Sequence, residues 1–388
     1  MLINYGTKFL SLPEFRVGNW QILETGHQFH VLKEASQAAC PICGALTDKI
    51  HDRRRQMVRD LPIQDKPATL LLLKRRFRCR ACDRVFPETY ENLRPYSRRT
   101  KRFEELLFRQ SRNPFKWVAE ENRISPYVVA NNFRLLAGRE LSARKPTPIT
   151  ALGIDENGFR KGSRYNTVIT NLLGDPKLVE ILPGKSQRVL EKFFKNYPYC
   201  QLIQYVAMDM CPVFLRTVEA ACPKAYVVAD KFHVLAGITR ILGKLRRKKF
   251  YRSLPVRITR GMLMKPYLCL NQPEKAVIDY LLQEKAGLAE VYWFKERFHR
   301  FYRLKDGQEA RSELRELIGM AMQSEIRELR DYGRQLMRWD KYILNYFVFK
   351  ITNARTEGIN NKIKLIKRMS YGFRNFANFR LKALVCCA

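Results

Sequence analysis

Hydrophobic and polar residues alternate with different periods in successive parts of the chain. Up to about residue 35, and again between residues 150 and 229, short apolar runs predict β-strands. Between residues 97 and 142, and from residue 231 to about 350, apolar residues instead recur at helical spacing. The pattern therefore predicts a mixed α/β protein with more than one folding unit.

The apolar runs near the N-terminus predict a β-hairpin around Gly26, with strands at 17–23 and 29–32. Two prolines within residues 145–148 indicate a linker that ends the first helical region. Beyond it, the runs follow the order of three strands, helix, strand, helix, strand and helix. This order favours an α/β sheet as the main body of the protein.

Two of these predicted strands end in an aspartate. The first strand, Ala151–Asp155, ends in one carboxylate, and the strand of residues 202–208 is followed by Asp209. A carboxylate at the end of a strand lies at the sheet edge where α/β proteins bind ligands. If the two strands are neighbours, Asp155 and Asp209 face each other.

Two facing carboxylates repel each other unless a cation lies between them. Hard oxygen ligands favour Mg²⁺ or Mn²⁺ over zinc. Paired ions of this kind can activate water and stabilise the leaving oxygen of a phosphodiester. The sequence therefore predicts a Mg²⁺ or Mn²⁺ site at Asp155 and Asp209.

The charge balance points to a polyanionic partner. The chain has 388 residues, and its 72 Lys and Arg against 37 Asp and Glu give a net charge of +35. Such an excess repels itself unless phosphates neutralise it, which favours double-stranded DNA as the partner over an anionic membrane surface. The longest nearly uncharged stretch, residues 196–215, contains Asp209 and two prolines, so no membrane span is expected.

Two pairs of cysteines have the spacing of metal-binding knuckles. Cys40 and Cys43 form one C-x-x-C pair, and Cys79 and Cys82 form the other. Four thiolates complete a closed, structural Zn²⁺ site. Two unrelated cysteine turns or a redox pair are the alternatives. The 35 intervening residues suit a long hairpin, with residues 69–73 as one strand.

The remaining cysteines lack metal spacing, and we interpret them as core residues or free thiols of a protein in a reducing cytoplasm. No secretory signal is visible at the N-terminus. These cysteines are Cys200, Cys211, Cys222, Cys269, Cys386 and Cys387.

Residues 115–136 have the pattern of a helix-turn-helix. A short helix, Phe115–Glu121, is followed by a break at which Asn122 is expected to adopt positive φ. Ser125 is a candidate N-cap, and Pro126 fits the first turn of the next helix. If that helix enters the major groove, its candidate DNA contacts are Asn131, Asn132 and Arg134. An ordinary helical hairpin is the alternative.

A third carboxylate is sought near the C-terminus. Glu357 shares one helix face with Lys364 and Arg368, while isoleucines at 359, 363 and 366 form the opposite, packing face. Taken alone, Glu357 has the pattern of a residue on a solvated face.

Several short motifs are spread along nearly the whole chain, namely Cys40-x-x-Cys43, Cys79-x-x-Cys82, Gly153-Ile-Asp155, Met208-Asp209-Met210, Asp230-Lys-Phe-His233, Arg355-Thr-Glu357-Gly-Ile-Asn-Asn-Lys-Ile-Lys364, Tyr371-Gly-Phe-Arg-Asn-Phe376 and Asn378-Phe-Arg380. Together these motifs resemble those of the ISL3-type insertion-sequence transposases.

The resemblance implies an α/β, RNase H-like catalytic core with an α-helical insertion, preceded by an N-terminal zinc-ribbon-like finger and a helix-turn-helix. It implies a DDE triad of Asp155, Asp209 and Glu357. We expect the finger region at 1–96, the helix-turn-helix at 97–145, the core at 146–239 and 343–388, and the insertion at 240–342.

The resemblance also makes Asp230 and His233 accessory residues of the active site, although Asp230 could instead cap the following helix. On that helix His233 shares a face with three cations that are candidate DNA contacts. These cations are Arg240, Lys244 and Arg247, the first members of a run at 240–260 that contains nine Lys or Arg and no acid.

The function expected from these features is metal-dependent DNA transposition. The protein would bind the terminal inverted repeats of a transposon, cleave them and transfer the strands to target DNA, as a homodimer or larger assembly in a prokaryotic cytoplasm, at the nucleoid. A catalytically inactive DNA-binding regulator is one alternative. An RNase H-fold, structure-specific nuclease is another.

Overall fold

A computed structural model of the protein describes residues 5–160, 164–175, 177–247, 260–284 and 286–387. The chain forms two compact units. The first contains Met1–Arg144 and Lys367–Lys382, and the second contains Lys145–Ile366 and Ala383–Ala388. Within the described residues, no helix is both long enough and apolar enough to cross a membrane.

The first unit begins with an antiparallel hairpin, as the sequence predicted. Strand β1 (Phe15–Leu23) pairs with β2 (Gly26–Lys33) across a turn in which Gly26 has φ +138°. The long hairpin between the cysteine pairs is also confirmed. Its strands β5 and β6 are joined to β2 in the order β1-β2-β6-β5, with β7 beside β6. The later strands are β3 (Ala38–Ala39), β4 (Leu46–Thr47), β5 (Ile50–Ile63), β6 (Lys66–Arg78) and β7 (Val85–Pro87).

In the described part of the first unit, one helix precedes this sheet and the others follow it. The helix at residues 126–143 has the predicted start, because the Ser125 hydroxyl accepts a hydrogen bond from Val128 N at 3.4 Å and Pro126 opens the helix. The positive φ lies at Arg123 (+50°), and the expectation for Asn122 was wrong, because the Asn122 side chain instead donates to Val118 O. The helices are α1 (Tyr5–Leu10), α2 (Lys101–Gln110), α3 (Phe115–Glu121) and α4 (Pro126–Ala143).

The second unit is built on a five-stranded sheet in the order β10-β9-β8-β11-β12. The first three strands in the chain pair antiparallel, and β11 lies parallel between β8 and β12. This confirms the RNase H-like α/β core. Its strands are β8 (Ala151–Arg160), β9 (Arg164–Asn171), β10 (Leu178–Leu182), β11 (Tyr205–Met208) and β12 (Tyr226–Ala229).

The helices of the second unit include the expected α-helical insertion. Apolar residues of the sheet and of the insertion helices belong to one hydrophobic core, so the two regions do not form separate units. The helices are α5 (Gln187–Asn196), α6 (Pro212–Ala221), α7 (Lys231–Arg246), α8 (Arg260–Met264), α9 (Gln272–Glu284), α10 (Ala286–Phe301), α11 (Gly307–Gln323) and α12 (Arg327–Phe349). Two further helices, α13 (Ala354–Met369) and α14 (Phe376–Cys387), each contain residues of both units.

The segment at 343–388, which we expect to belong to the catalytic core, is divided between the two units. Residues 367–382 belong to the first unit, where the Lys382 ammonium donates to Asn113 O at 2.9 Å. The same ammonium lies 4.2 Å from the centroid of the Phe115 ring. These two contacts stabilise the ammonium group of a lysine that is only 2% exposed.

Candidate active site

The sheet brings Asp155 and Asp209 together. Strand β11 runs parallel to β8 and ends at Met208, which is level with Ile154. The next residue of each strand therefore emerges at the same height. Strand β8 continues to Arg160 in its hairpin with β9, so Asp155 lies inside a strand and not at its end as the sequence predicted. The carboxylates still meet, because the neighbouring strand is the one that stops.

A histidine joins the two aspartates. One ligand atom from each of Asp155, Asp209 and His233 lies within 4.8 Å of the others, a grouping that can hold a metal ion. His233 comes from the first turn of α7, which begins directly after β12. His233 Nδ1 lies 2.6 Å from Asp209 Oδ1 and 3.0 Å from Asp230 Oδ2.

Asp230 contacts this site and does not cap its helix. Its side chain makes no capping hydrogen bond, although it precedes α7. It is only 3% exposed, and its second oxygen accepts a hydrogen bond from Asn353 N at 3.4 Å. The helix-capping alternative was therefore wrong, and Asp230 lies behind His233 as a partner of the ring.

The surroundings of Asp155 and His233 change the pKa of both groups. Burial raises the pKa of Asp155 to about 7, and the nearby charge of Asp209 acts in the same direction. Burial opposes the charge of His233, but hydrogen bonds and charges from Asp209 and Asp230 outweigh it and raise the pKa of His233 to about 10. The site therefore has an excess of negative charge that a cation would stabilise.

The donor set fits a divalent cation with oxygen ligands. The Nδ1–H of His233 can point at only one acceptor, and its hydrogen bond goes to Asp230. Asp209 Oδ1 is buried 2.6 Å from the same nitrogen, and one N–H cannot satisfy both carboxylates at once. Two adjacent carboxylates that share so few donors suit Mg²⁺ or Mn²⁺.

Glu357 is not part of this close group. It is exposed in the first turn of α13. Two neighbours on its helix face contact the acidic residues, since Asn353 N donates to Asp230 and Asn360 Nδ2 donates to Asp155 Oδ2 at 2.6 Å. Residues at i−4 and i+3 lie on the same side of a helix as Glu357. The isoleucines of the opposite face, including Ile363, are buried as predicted.

The three grouped residues open into a cleft of about 420 Å³. Arg240 lies on the cleft wall one helical turn beyond Gly237, and Gln335 comes from the insertion helix α12. A side chain at Gly237 would collide with the Tyr332 ring, whose hydroxyl donates to Val234 O at 2.5 Å. Sequence reasoning missed Gln335, because nothing in the pattern of α12 distinguishes it from other polar positions.

Glu156 also lines the cleft, although strand alternation predicted the opposite face of the sheet. Its carboxylate lies 3.4 Å from the Lys185 ammonium, which neutralises it. It is therefore paired, whereas Asp155 and Asp209 have no lysine or arginine ion-pair partner in the described part of the chain.

The candidate DNA contacts differ in their exposure. Asn132 is 1% exposed, and its side chain donates to Glu104 O at 2.7 Å, so its assignment as a DNA contact was wrong. The apolar packing of α2 against α4 buries it. Asn131 is half-buried. The remaining candidates are exposed, namely Arg134, Arg240, Lys244, Arg247, Lys364 and Arg368. Residues 248–259 of the basic run lie outside the described residues.

The four predicted cysteines meet in the first unit. Their sulfur atoms lie 3.5 Å (Cys43 and Cys79), 3.6 Å (Cys40 and Cys82) and 3.7 Å (Cys43 and Cys82) apart. Four sulfurs at about 2.3 Å from a tetrahedral zinc ion would lie about 3.8 Å from one another. Backbone N–H groups of Cys43 and Ile42 lower the pKa of Cys40 to about 6, which favours the thiolate form. The arrangement fits a structural Zn²⁺ ion.

Known protein families match both of the regions that contain these sites. A sequence model of the DDE transposases of ISL3 type, described as "Transposase", matches residues 152–383. A second, described as "zinc-finger of transposase IS204/IS1001/IS1096/IS1165", matches residues 36–82.

Two named relatives extend the likeness. The chain is 30% identical over 360 residues to the "Transposase for insertion sequence element IS1001" of Bordetella parapertussis, covering 88% of this chain and 87% of that protein. It is 24% identical over 272 residues to the "Transposase for insertion sequence element IS1557" of Mycobacterium tuberculosis, covering 62% and 61%.

Proposed function

The chain belongs to the ISL3 family of DDE transposases, and from this premise we propose that its acidic cleft cleaves transposon ends and joins them to target DNA by two-metal phosphoryl transfer. The observation that carries the proposal is the convergence of Asp155 and Asp209, which lie with His233 in one group of potential metal ligands. Both carboxylates would hold Mg²⁺ or Mn²⁺.

The chemistry has two steps. In the first, water attacks the phosphorus at the transposon end, the P–O3′ bond breaks, and the transposon strand leaves with a free 3′-hydroxyl. In the second, this hydroxyl attacks a target phosphodiester in line and displaces the 3′-oxygen of the target strand. When bound, the divalent ions would lower the pKa of the attacking hydroxyl group and stabilise the leaving oxygen.

We assign Glu357 as the third carboxylate. Its place on α13, between two asparagines that touch Asp230 and Asp155, supports this assignment. An exposed glutamate can change rotamer without unfolding its helix, since the buried side chains of α13 hold the helix in place. Asp230 would orient His233, and His233 would orient Asp209.

The basic surface would bind the DNA backbone. Arg240 lines the cleft, and Lys244 and Arg247 follow on the same exposed face of α7. We assign Lys364 and Arg368 of α13 to the same task. The finger and helices α3 and α4, with Asn131 and Arg134, would bind the terminal inverted repeats. Because two ends must be joined, we propose a homodimer or larger assembly on DNA, acting at the nucleoid of a prokaryotic cytoplasm.

The variant Asp209→Asn tests the catalytic proposal on duplexes that carry the element's own ends. We expect Mg²⁺-dependent cleavage to fall by at least about 10³-fold, because an amide holds a divalent ion far less well than a carboxylate. End binding in a gel-shift assay should be unchanged. Asp175→Asn, which changes an exposed aspartate outside the cleft, is the matched control.

The outcomes separate the proposal from its rivals. Full cleavage by Asp209→Asn would reject the assignment of this residue. End binding by the wild-type protein without any nicking at any divalent-ion concentration would favour an inactive DNA-binding regulator. Preference for a four-way junction over a linear inverted-repeat duplex would favour a structure-specific nuclease.

A further inference from the structure

Three buried asparagines lie between helix α13 and strand β8. Asn157, Asn353 and Asn360 are each no more than 4% exposed. Asn157 Nδ2 donates to Asn360 Oδ1 at 2.9 Å, and Asn360 Nδ2 donates in turn to Asp155 Oδ2 at 2.6 Å. The first bond links Asn157 of β8 to Asn360 of α13. The second links Asn360 to Asp155, which precedes Asn157 by two residues on β8.

The direction of these bonds fixes the orientation of the Asn360 amide. Asn157 donates to the oxygen of Asn360, so the NH₂ group of Asn360 must face Asp155. The other oxygen of Asp155 accepts a hydrogen bond from Glu156 N at 2.7 Å. One donor at each oxygen holds the plane of the carboxylate, while each oxygen keeps a lone pair for a ligand.

Helix packing alone does not require an amide at position 360. Ile359 and Ile363, which are also buried but belong to the opposite face of α13, fill their places with apolar side chains. Burying an amide costs free energy unless every polar group is paired. The amide at this position therefore makes an interaction that an isoleucine could not make, namely the hydrogen bond to the Asp155 carboxylate.

The neutrality of the donor is the second part of the argument. A lysine or arginine at position 360 would also hold Asp155, but it would neutralise the carboxylate and compete with a divalent cation. An amide orients the carboxylate and leaves its charge available. Glu156 shows the contrasting case within the same cleft, because it is ion-paired with Lys185.

Further contacts between the same helix and the sheet hold the helix that carries Glu357. Asn353 Nδ2 donates to Ile154 O at 3.1 Å, and the hydroxyls of Thr170 and Thr356 are 2.6 Å apart. Strand β8 has a glycine, Gly153, where any side chain would collide with Thr356, Thr170 and Asn353. The first two turns of α13 are thus held directly against the strand that carries Asp155.

We infer that Asn360 is a positioning residue of the metal site, which orients the Asp155 carboxylate for a divalent cation and keeps the helix of Glu357 in register with it. The inference rests on the proposed function only in naming the cation that Asp155 holds. Partners of metal ligands typically contribute about 10–100-fold in metal affinity or activity when removed.

The test compares Asn360→Leu with Asn361→Ala in the full-length protein. Leucine keeps the branched arrangement of the four side-chain heavy atoms and removes the donor, and Asn361 is the adjacent, exposed asparagine of the same helix. Two quantities are measured, namely the dissociation constant for Mn²⁺ by calorimetry, without DNA, and the Mg²⁺ concentration that gives half-maximal cleavage of end DNA. The thermal midpoint and end binding report on the fold.

We expect Asn360→Leu to weaken Mn²⁺ binding by about 10-fold or more and to raise the half-maximal Mg²⁺ concentration in parallel. End binding should stay at the wild-type level, and Asn361→Ala should match the wild type in every measurement. If Asn360→Leu does not fold, Asn157→Ala removes the bond that orients Asn360 and should shift Mn²⁺ binding in the same direction by a smaller factor.

Wild-type Mn²⁺ affinity in a folded Asn360→Leu or Asn157→Ala protein would overturn the inference. Equal weakening by Asn361→Ala would also overturn it, because the effect would then come from the helix in general. A wild-type protein that binds Mn²⁺ but never cleaves DNA would count against the proposed function alone, since the calorimetric comparison does not depend on cleavage.

Discussion

The two metal sites of this protein are assembled in opposite ways. In the finger, the ligands come as two C-x-x-C pairs, and each pair lies in a single tight turn next to a strand end. In the cleft, the ligands come from β8, from the residue that follows β11 and from the start of α7, at positions 155, 209 and 233 of the chain. The comparison teaches that the finger depends on local spacing, whereas the cleft depends on the order of strands in a sheet.

The ligand chemistry of the two sites differs as well. Four sulfur atoms enclose the finger site and leave no position for water, which suits a structural ion. The cleft contains carboxylates and one imidazole as potential ligands, it is open, and Arg240 and Gln335 are among the residues that line it. An open site with oxygen donors suits an ion that exchanges and meets a substrate.

The largest expected effect comes from breaking the closed site. Cys79→Ser should release zinc and unfold the knuckle region, because structural zinc contributes about 10–16 kcal/mol of apparent binding free energy to folding. We expect loss of bound zinc, measured by atomic emission on the purified protein, together with loss of end binding. Cys269→Ser, at an exposed cysteine outside both sites, is the control and should retain zinc.

A Cys79→Ser protein that keeps one zinc ion per chain and full end binding would remove the contrast between the two sites. A protein that loses zinc and yet binds ends normally would separate the structural role of the finger from DNA recognition.

The second effect tests which glutamate completes the open site. Glu357→Gln should lower Mg²⁺-dependent cleavage by about 10³-fold, because it removes a charged ligand worth several kcal/mol. Glu156→Gln should change cleavage by less than about 10-fold, since Glu156 is paired with Lys185 at the rim. Single-turnover cleavage rates on end DNA measure both, and the reverse ranking would assign the third carboxylate to Glu156.

The smallest effect measures how far the open site depends on close packing. Gly153→Ala places a methyl group against the first turn of α13 and should destabilise the second unit by about 1–3 kcal/mol. Gly158→Ala, on the same strand, meets no atom within 4 Å and should cost far less. Thermal unfolding compares the two variants, and equal midpoints would show that α13 moves away from β8 without cost.

Local patterns predicted the elements well where the signal lies within a few residues. Examples are the hairpin at Gly26, the Ser125 cap and the buried isoleucines of α13. Prediction failed where a side chain's surroundings come from another element. Asn132 lies on the second helix of the predicted helix-turn-helix, where a DNA contact is expected. Because α4 packs on α2, its side chain is instead buried and donates a hydrogen bond to Glu104 O.

The sequence by itself determined the cysteine site, the acidic strand positions, the helix faces and the family, because each of these depends on the spacing of particular residues along the chain. Only the tertiary structure decided that Asn360 holds Asp155, 205 residues away, that Gln335 of the insertion lines the cleft, and that residues 367–382 join the first unit. The physical reason is that spacing fixes the direction of a side chain relative to its own helix or strand. What that side chain then meets depends on how the sheet and helices pack.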